Sequence, residues 1–153
     1  MNESYGTYVL IVDGSIPTEE QEAWSTIAGR SNLQMLEETV EGAALVVTVG
    51  TCASFGGLPA ATAIHAPKPN QSAAAGVAKL MDEGVIATRP LVNVPGCPPI
   101  PEVISGTIAY FLVNGDVPEL DDLKRPKAYY GSTIHDTCPR RVFYDKGRFA
   151  LAF

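Results

Sequence analysis

Five cysteine and histidine side chains in this 153-residue sequence could serve as metal donors: Cys52, Cys97, Cys138, His65 and His135. Cys52 sits in Gly50-Thr51-Cys52-Ala53-Ser54-Phe55-Gly56-Gly57, and Cys97 in Pro95-Gly96-Cys97-Pro98-Pro99. An odd number of widely spaced cysteines is a poor disulfide framework, and no Cys-x-x-Cys pair is present. Three inert core thiols are the plain alternative, because free cysteine is among the most buried residue types. A nucleophilic cysteine would need a base, and neither histidine is placed to be identified as one. A phosphate loop is a weaker alternative, since Gly50 to Gly57 lacks the Lys-Ser/Thr ending. His135 and Cys138 stand three residues apart, a spacing that puts both on one face of a helical turn and lets imidazole and thiolate meet one metal. Zinc sites, surface turns and chance share that spacing, and a mononuclear zinc would need two more ligands. His65, close to Pro67 and Pro69, reads as a surface loop residue.

The elements that must position the two isolated cysteines are legible from pattern. Tyr8-Val9-Leu10-Ile11-Val12 is a nearly continuous apolar run closed by Asp13-Gly14, as expected of a strand buried on both faces. Ser31 and Gln34 form a capping-box pattern, after which Leu33, Leu36 and Val40 share a helical face until Gly42. Leu45 to Val49 is a second buried strand and Leu91 to Val94 a third. Between them a helix is expected over about 71–83, with Asn70 near its cap and Gly84 after it. Glu102 to Val113 predicts a helix with Ile104, Ile108 and Leu112 on one stripe, and Ala128 to Tyr130 a short fourth strand. Val117 to Lys127 reads as a connecting loop.

Strands alternating with helices predict an α/β fold with a parallel sheet and helices on both faces. Cys52 and Cys97 then each follow the carboxyl end of a parallel strand, the edge at which open α/β sheets bind ligands. Two such thiols could share an iron–sulfur cluster, although a [4Fe–4S] cluster takes four protein ligands. The same placement twice on one edge favours ligation over a pair of tight turns.

A net charge of −6 argues against nucleic acid, which needs a basic surface to displace counterions. With 46% hydrophobic and 18% charged residues the composition is that of a globular domain. The uncharged stretch from Gly42 to Ile64 is broken by glycine and Pro59, so it reads as a strand and loop rather than a membrane span. Met1-Asn2-Glu3-Ser4-Tyr5 shows neither a basic region nor an apolar signal core, and a cytoplasmic location is expected as written.

Gly50 to Gly57, followed by Val94-Pro95-Gly96-Cys97-Pro98-Pro99, resembles the small subunits of [NiFe] hydrogenases, and more distantly the cluster-bearing 20 kDa-type subunit of respiratory complex I. Four ordered stretches narrow the resemblance to respiratory and uptake-type hydrogenases: Pro118-Glu119-Leu120-Asp121, Arg125-Pro126-Lys127, Ile134-His135-Asp136-x-Cys138-Pro139-Arg140-Arg141 and Asp145-x-Gly147-x-Phe149. Upstream, Asp13-Gly14-Ser15-Ile16-Pro17-Thr18 and Gly29-Arg30 match as well. The resemblance implies a flavodoxin-like sheet and an electron-transfer subunit. Cys52 and Cys97 would be ligands of a proximal [4Fe–4S] cluster, and His135 and Cys138 of a distal one. It further implies a large subunit that holds the Ni-Fe centre and reacts with H2, and an external redox acceptor protein. Family members are often exported or sit on the membrane periphery. A cluster-free flavodoxin-like docking module is the competing class.

The family pattern is met only in part. Its small subunits begin with a central strand and a Cys-x-x-Cys loop that supplies the other proximal ligands, and they end in a cysteine-rich tail that holds a medial cluster. Neither stretch is in this sequence, and the family's frequent cysteine near Trp24-Ser25-Thr26 is missing too. The expected organisation is therefore a partial flavodoxin-like domain over 1–128 and the start of a cluster-binding segment over 129–153. Tyr8–Val12 is expected to be an outer neighbour of the absent strand, leaving open apolar edges along Tyr8–Val12 and Val46–Val49. Another chain or segment supplying the Cys-x-x-Cys strand, or self-association of the isolated chain, would cover them. Arg140 and Arg141 are read either as neutralising cluster charge or as a solvated pair.

Overall fold

The computed structural model describes residues 6–19, 24–61 and 72–152. Its centre is a parallel sheet of three strands, β1 (Tyr8–Asp13), β4 (Ala43–Val49) and β5 (Leu91–Val94), in the order β1-β4-β5. A two-residue hairpin, β2 (Thr26–Ile27) and β3 (Arg30–Ser31), lies apart and turns through Ala28 and Gly29, both at positive φ.

Helices cover both faces of the sheet, because each strand's alternating side chains need a partner on each side. On one face Leu33, Leu36 and Val40 of α1 (Asn32–Val40) and Val77, Leu80 and Met81 of α4 (Val77–Asp82) pack on Val12, Val46 and Leu91. On the other, Val103 and Ile104 of α5 (Pro101–Asn114) pack on Leu45, Val47, Val92 and Val94. Both halves of the capping box form at the start of α1. Gln34 N–H donates to Ser31 Oγ at 3.2 Å, and Ser31 N–H donates to Gln34 Oε1 at 3.3 Å. Arg89 reaches the far end of α1, where its Nε donates to the Val40 carbonyl at 3.2 Å.

Several expectations are corrected. β1 pairs directly with β4 along its whole length, from Tyr8↔Ala43 to Asp13↔Val49, so no strand position lies between them. Val46 and Val47 are completely buried rather than open. Among the described residues no strand pairs with the outer edge of β1, where only Val12 is buried and Ile11 is 52% exposed. The helix expected over 71–83 begins only at Val77. Upstream, Ala75 exchanges backbone hydrogen bonds of 2.9 Å with Ile16 in each direction, which commits that stretch to an extended path. Its expected cap Asn70, like His65, lies outside the described residues.

The buried face of α5 runs through Val103 and Thr107, with Phe111 partly covered, and Leu112 is 70% exposed. Ala128 to Tyr130 is not a strand but part of the helical turn α6 (Lys127–Tyr130). The outer edge of β5 is already occupied, because Asn93 N–H donates to the Lys124 carbonyl at 2.8 Å. Aromatic residues that favour strands by type therefore found no strand to pair with. Among the described residues, no helix is long and apolar enough to cross a membrane.

Leu45 is completely buried between sheet and α5, whereas Leu112 on the same helix faces outward. Leu45→Ala should cost roughly 2–5 kcal/mol in denaturant unfolding, and Leu112→Ala should stay within about 0.5 kcal/mol of the parent chain.

Candidate metal centre

The parallel register of β4 and β5 places Val49 opposite Val94. Cys52 and Cys97 each lie three residues beyond one member of that pair. The two chains stay tied after the strands end. Gly50 N–H donates to the Val94 carbonyl at 2.9 Å, Thr51 N–H to the Gly96 carbonyl at 2.9 Å, and Gly96 N–H returns a bond to Thr51 Oγ1 at 3.1 Å. Both cysteines thus leave the same sheet edge from backbones that are hydrogen-bonded to each other. Cys52 lies in the first turn of α2 (Thr51–Phe55), not in a loop as expected, and Cys97 is on an exposed turn.

Two glycines make room here. A Cβ at Gly57, which opens α3 (Gly57–Ala60) at φ +57, would stand 2.5 Å from Cys52 Sγ. A Cβ at Gly96 would overlap the backbone of Pro99 and lie 2.8 Å from the Pro98 carbonyl oxygen. A larger residue at Gly57 would displace Cys52, and one at Gly96 would displace the Pro98–Pro99 backbone that follows Cys97.

Beneath the edge lies a buried polar cluster of Thr48, Ser54 and Asn93. Thr48 Oγ1 donates to Asn93 Oδ1 at 2.8 Å, which uses its single proton. The Ser54 proton is left for the Gly50 carbonyl at 2.9 Å or Thr48 Oγ1 at 2.8 Å, and the arrangement pins α2 to the end of β4. Asn93 Nδ2 continues to the Leu123 carbonyl at 2.8 Å. The loop carrying Leu123 and Lys124 is closed by Asp121, whose Oδ1 accepts from the N–H groups of Leu123 at 3.0 Å and Arg125 at 2.8 Å. Its Oδ2 accepts from the Arg125 guanidinium through Nε and Nη2, both at 2.7 Å.

Burial works to raise the Asp121 carboxyl, but hydrogen bonds from the Arg125 side chain and the loop amides outweigh it and hold the carboxyl below its ordinary value of 3.8. The same guanidinium lies 5.3 Å from the centre of the Tyr130 ring. Burial, opposed by Arg125, raises the Tyr130 phenol above its ordinary value, so it remains a donor at neutral pH.

His135 and Cys138 lie on a turn following α6 and line a cleft of about 440 Å³ with Arg140, Arg141, Tyr144 and Asp145, the last three on or beside α7 (Arg141–Asp145). The N–H of Cys138 donates to the His135 carbonyl at 3.4 Å, so the pair shares one turn as the spacing predicts. Asp136 is engaged in holding that turn. It accepts from Thr133 N–H at 2.7 Å, Thr133 Oγ1 at 2.8 Å and Arg141 at 3.1 Å, and these donors, the Thr133 amide foremost, lower its carboxyl. Arg141 is thereby committed to Asp136, with Asp145 at 3.9 Å, while Arg140 makes no ion pair among the described residues.

Cys52 and Cys97 follow backbones that are hydrogen-bonded to each other at one sheet edge, and His135 and Cys138 line a cleft whose lining includes neither Cys52 nor Cys97. No group of three or more His, Cys, Asp or Glu that could hold a metal occurs among the described residues. Sequence reasoning overlooked Thr51, Asn93 and Tyr130. A polar Asn93 inside Leu91-Val92-Asn93-Val94 was the available signal for the buried cluster.

The sequence model of the NADH ubiquinone oxidoreductase 20 Kd subunit family matches residues 1–111, a stretch that contains both Cys52 and Cys97. The chain belongs to that family. The chain is 39% identical over 149 residues to the uptake hydrogenase small subunit of Azotobacter vinelandii, covering 97% of this chain and 38% of that protein. It is 38% identical over 148 residues to the hydrogenase-1 small chain of Escherichia coli strain K12, covering 97% of this chain and 37% of that one. The chain thus spans well under half the length of these curated relatives.

Among solved structures it is similar to a chain of the [NiFeSe] hydrogenase of Desulfovibrio vulgaris Hildenborough, with 32% identity, a TM-score of 0.82, and coverage of 99% of this chain and 57% of that one. The Ni-Fe-Se hydrogenase of Desulfomicrobium baculatum gives 30% identity and a TM-score of 0.78, over 95% of this chain and 55% of that one. The family model stops before His135, whereas an alignment over 149 of 153 residues runs through it. The stretch that holds His135 and Cys138 is therefore covered by the alignment to this relative and not by the family model.

Asp121 closes the loop that seals β5, and its lowered carboxyl ties stability to pH. A depressed carboxylate contributes stability above its unfolded value, and that contribution is lost as pH falls through the folded value. Asp121→Asn should therefore destabilise the chain by about 1–2 kcal/mol at neutral pH, with the difference shrinking as pH falls below the ordinary carboxylate range and through the lowered folded value. Urea unfolding of both chains across that range checks this.

Proposed function

We propose that this chain is the electron-transferring part of a hydrogenase small subunit. In this reading Cys52 and Cys97 supply two thiolates to a proximal [4Fe–4S] cluster, and His135 and Cys138 two donors to a distal one. The observation that carries it is the level placement of Cys52 and Cys97, three residues past a register pair and joined by the Thr51–Gly96 bonds.

The residues present fit the group in kind. Soft thiolates on rigid, separated turns are the donors such clusters take, and Gly57 leaves the Cys52 sulfur free of a neighbouring side chain. In number they fit half of it, so the remaining ligands come from another segment or chain. When bound, such a cluster supplies one-electron transfer. The protein's own part is to hold the thiols: the backbone bonds between Thr51 and Gly96 fix their spacing, and the Thr48–Ser54–Asn93 cluster keeps α2 from shifting on β4.

Residues 1–128 form the sheet-bearing unit in this reading, and 129–153 begin a second cluster-binding segment. The unpaired edge of β1 accepts a further strand, from the segment that completes the ligand set or from a second copy. A large subunit holding the nickel–iron centre docks beside the proximal thiols, and a redox acceptor approaches the His135–Cys138 end.

Anaerobic reconstitution of the chain with iron and sulfide, together with its large subunit and the completing segment, tests this. The parent complex should show broad absorption near ~400 nm. Cys52→Ser and Cys97→Ser should each remove iron and absorption from the same cluster, while Cys138→Ser spares it. Unchanged iron and sulfide in the Cys52→Ser, Cys97→Ser double variant would sink the reading.

A further inference from the structure

The peptide unit between Pro95 and Gly96 stands one residue before Cys97, and both of its polar atoms are bonded. Its N–H donates to Thr51 Oγ1 at 3.1 Å, on the Cys52 side. Its carbonyl accepts from Tyr130 Oη at 2.8 Å, from the far side and across 35 residues of sequence. The next carbonyl, that of Gly96, accepts from Thr51 N–H at 2.9 Å. With this plane held at both ends and the following carbonyl held by Thr51, the direction in which the chain enters Cys97 is fixed.

Tyr130 is itself held. Its backbone N–H donates to the Pro126 carbonyl at 3.0 Å within α6, and its ring packs against the cluster formed by Val92 and Val94. The Arg125 guanidinium lies over that ring, and Arg125 is locked by Asp121. Phe111 and Leu120 belong to the same packed group.

We propose that Tyr130 is a positioning residue that orients the Cys97 turn and joins it mechanically to the segment bearing His135 and Cys138. Tyr130 is the last residue of α6, and the turn with His135 begins only a few residues later. One side chain therefore bridges from the carboxyl edge of the sheet to the start of the second donor pair. The inference rests on Cys97 being a ligand, but the contact itself does not.

The test uses the intact chain and Tyr130→Phe, which keeps the ring and removes only the hydroxyl. Amide hydrogen exchange at Gly96 should rise about threefold or more, while exchange at Val92 and Val94 stays at the parent value. In the reconstituted complex the same variant should alter the electron paramagnetic resonance line shape of the proximal cluster with iron content unchanged. Unaltered Gly96 exchange overturns the proposal. So does an equal rise across β5, or failure to fold, either of which makes the ring a plain core element. Cys97→Ser separates the two readings. If it removes iron while Tyr130→Phe changes no exchange, only the Tyr130 role falls. If Gly96 loosens selectively while Cys97→Ser keeps its iron, the positioning contact stands and the ligand reading falls.

Discussion

The rest of this structure depends on the parallel register between β4 and β5. Val46↔Leu91 through Val49↔Val94 form an in-register ladder, and Gly50 and Thr51 extend the contact one step beyond it. A slip of one residue would turn Leu45 and Val47 from the α5 face to the α1 face and exchange the buried sets of both. It would also set Cys52 and Cys97 at different heights. The hydrophobic alternation that holds the core is thus the same constraint that brings two sulfurs to one edge.

The two long edges of the sheet are treated differently. Beside β5, the carbonyls of Lys124 and Leu123, in the loop closed by Asp121 and Arg125, accept from the backbone N–H and the side-chain amide of Asn93, so that edge is covered at Asn93. Beside β1 nothing among the described residues pairs, and Ile11 faces outward. The sealed edge stands next to the cysteine turns and keeps them in place through Asn93 and Tyr130. The open one is where the sheet can grow. Buried polar groups at the sealed side are costly to leave unpaired, which is why Thr48, Ser54 and Asn93 share their protons so fully.

Much of this could be read from residue types, and the failures have physical causes. The strands at Tyr8, Leu45 and Leu91, the Ser31 capping box and the strand-end position of both cysteines depend on local pattern, and local pattern is what a sequence displays. Tyr129 and Tyr130 misled because aromatic residues favour strands only where an edge is open, and Lys124 had taken it. The late start of α4 comes from the Ile16–Ala75 bridge, a contact across 59 residues that no local pattern encodes. The position of β1 followed from a borrowed strand order; only its six-residue pairing with β4 shows that any further strand must lie outside it. The bonds of Thr51 and Tyr130 to the Pro95–Gly96 peptide were likewise invisible, being tertiary contacts of ordinary residues.

The proposed site requires Cys52 and Cys97 to face each other at one sheet edge, with Cys138 apart from them in the His135 cleft. Dibromobimane, which becomes fluorescent only after it bridges two thiols, measures that directly on the native reduced chain without any cluster. Peptide mapping of the fluorescent product should find Cys52 joined to Cys97, with Cys138 alkylated singly. A product that links Cys138 to either of the others, or no Cys52–Cys97 bridge at all, would contradict the shared edge.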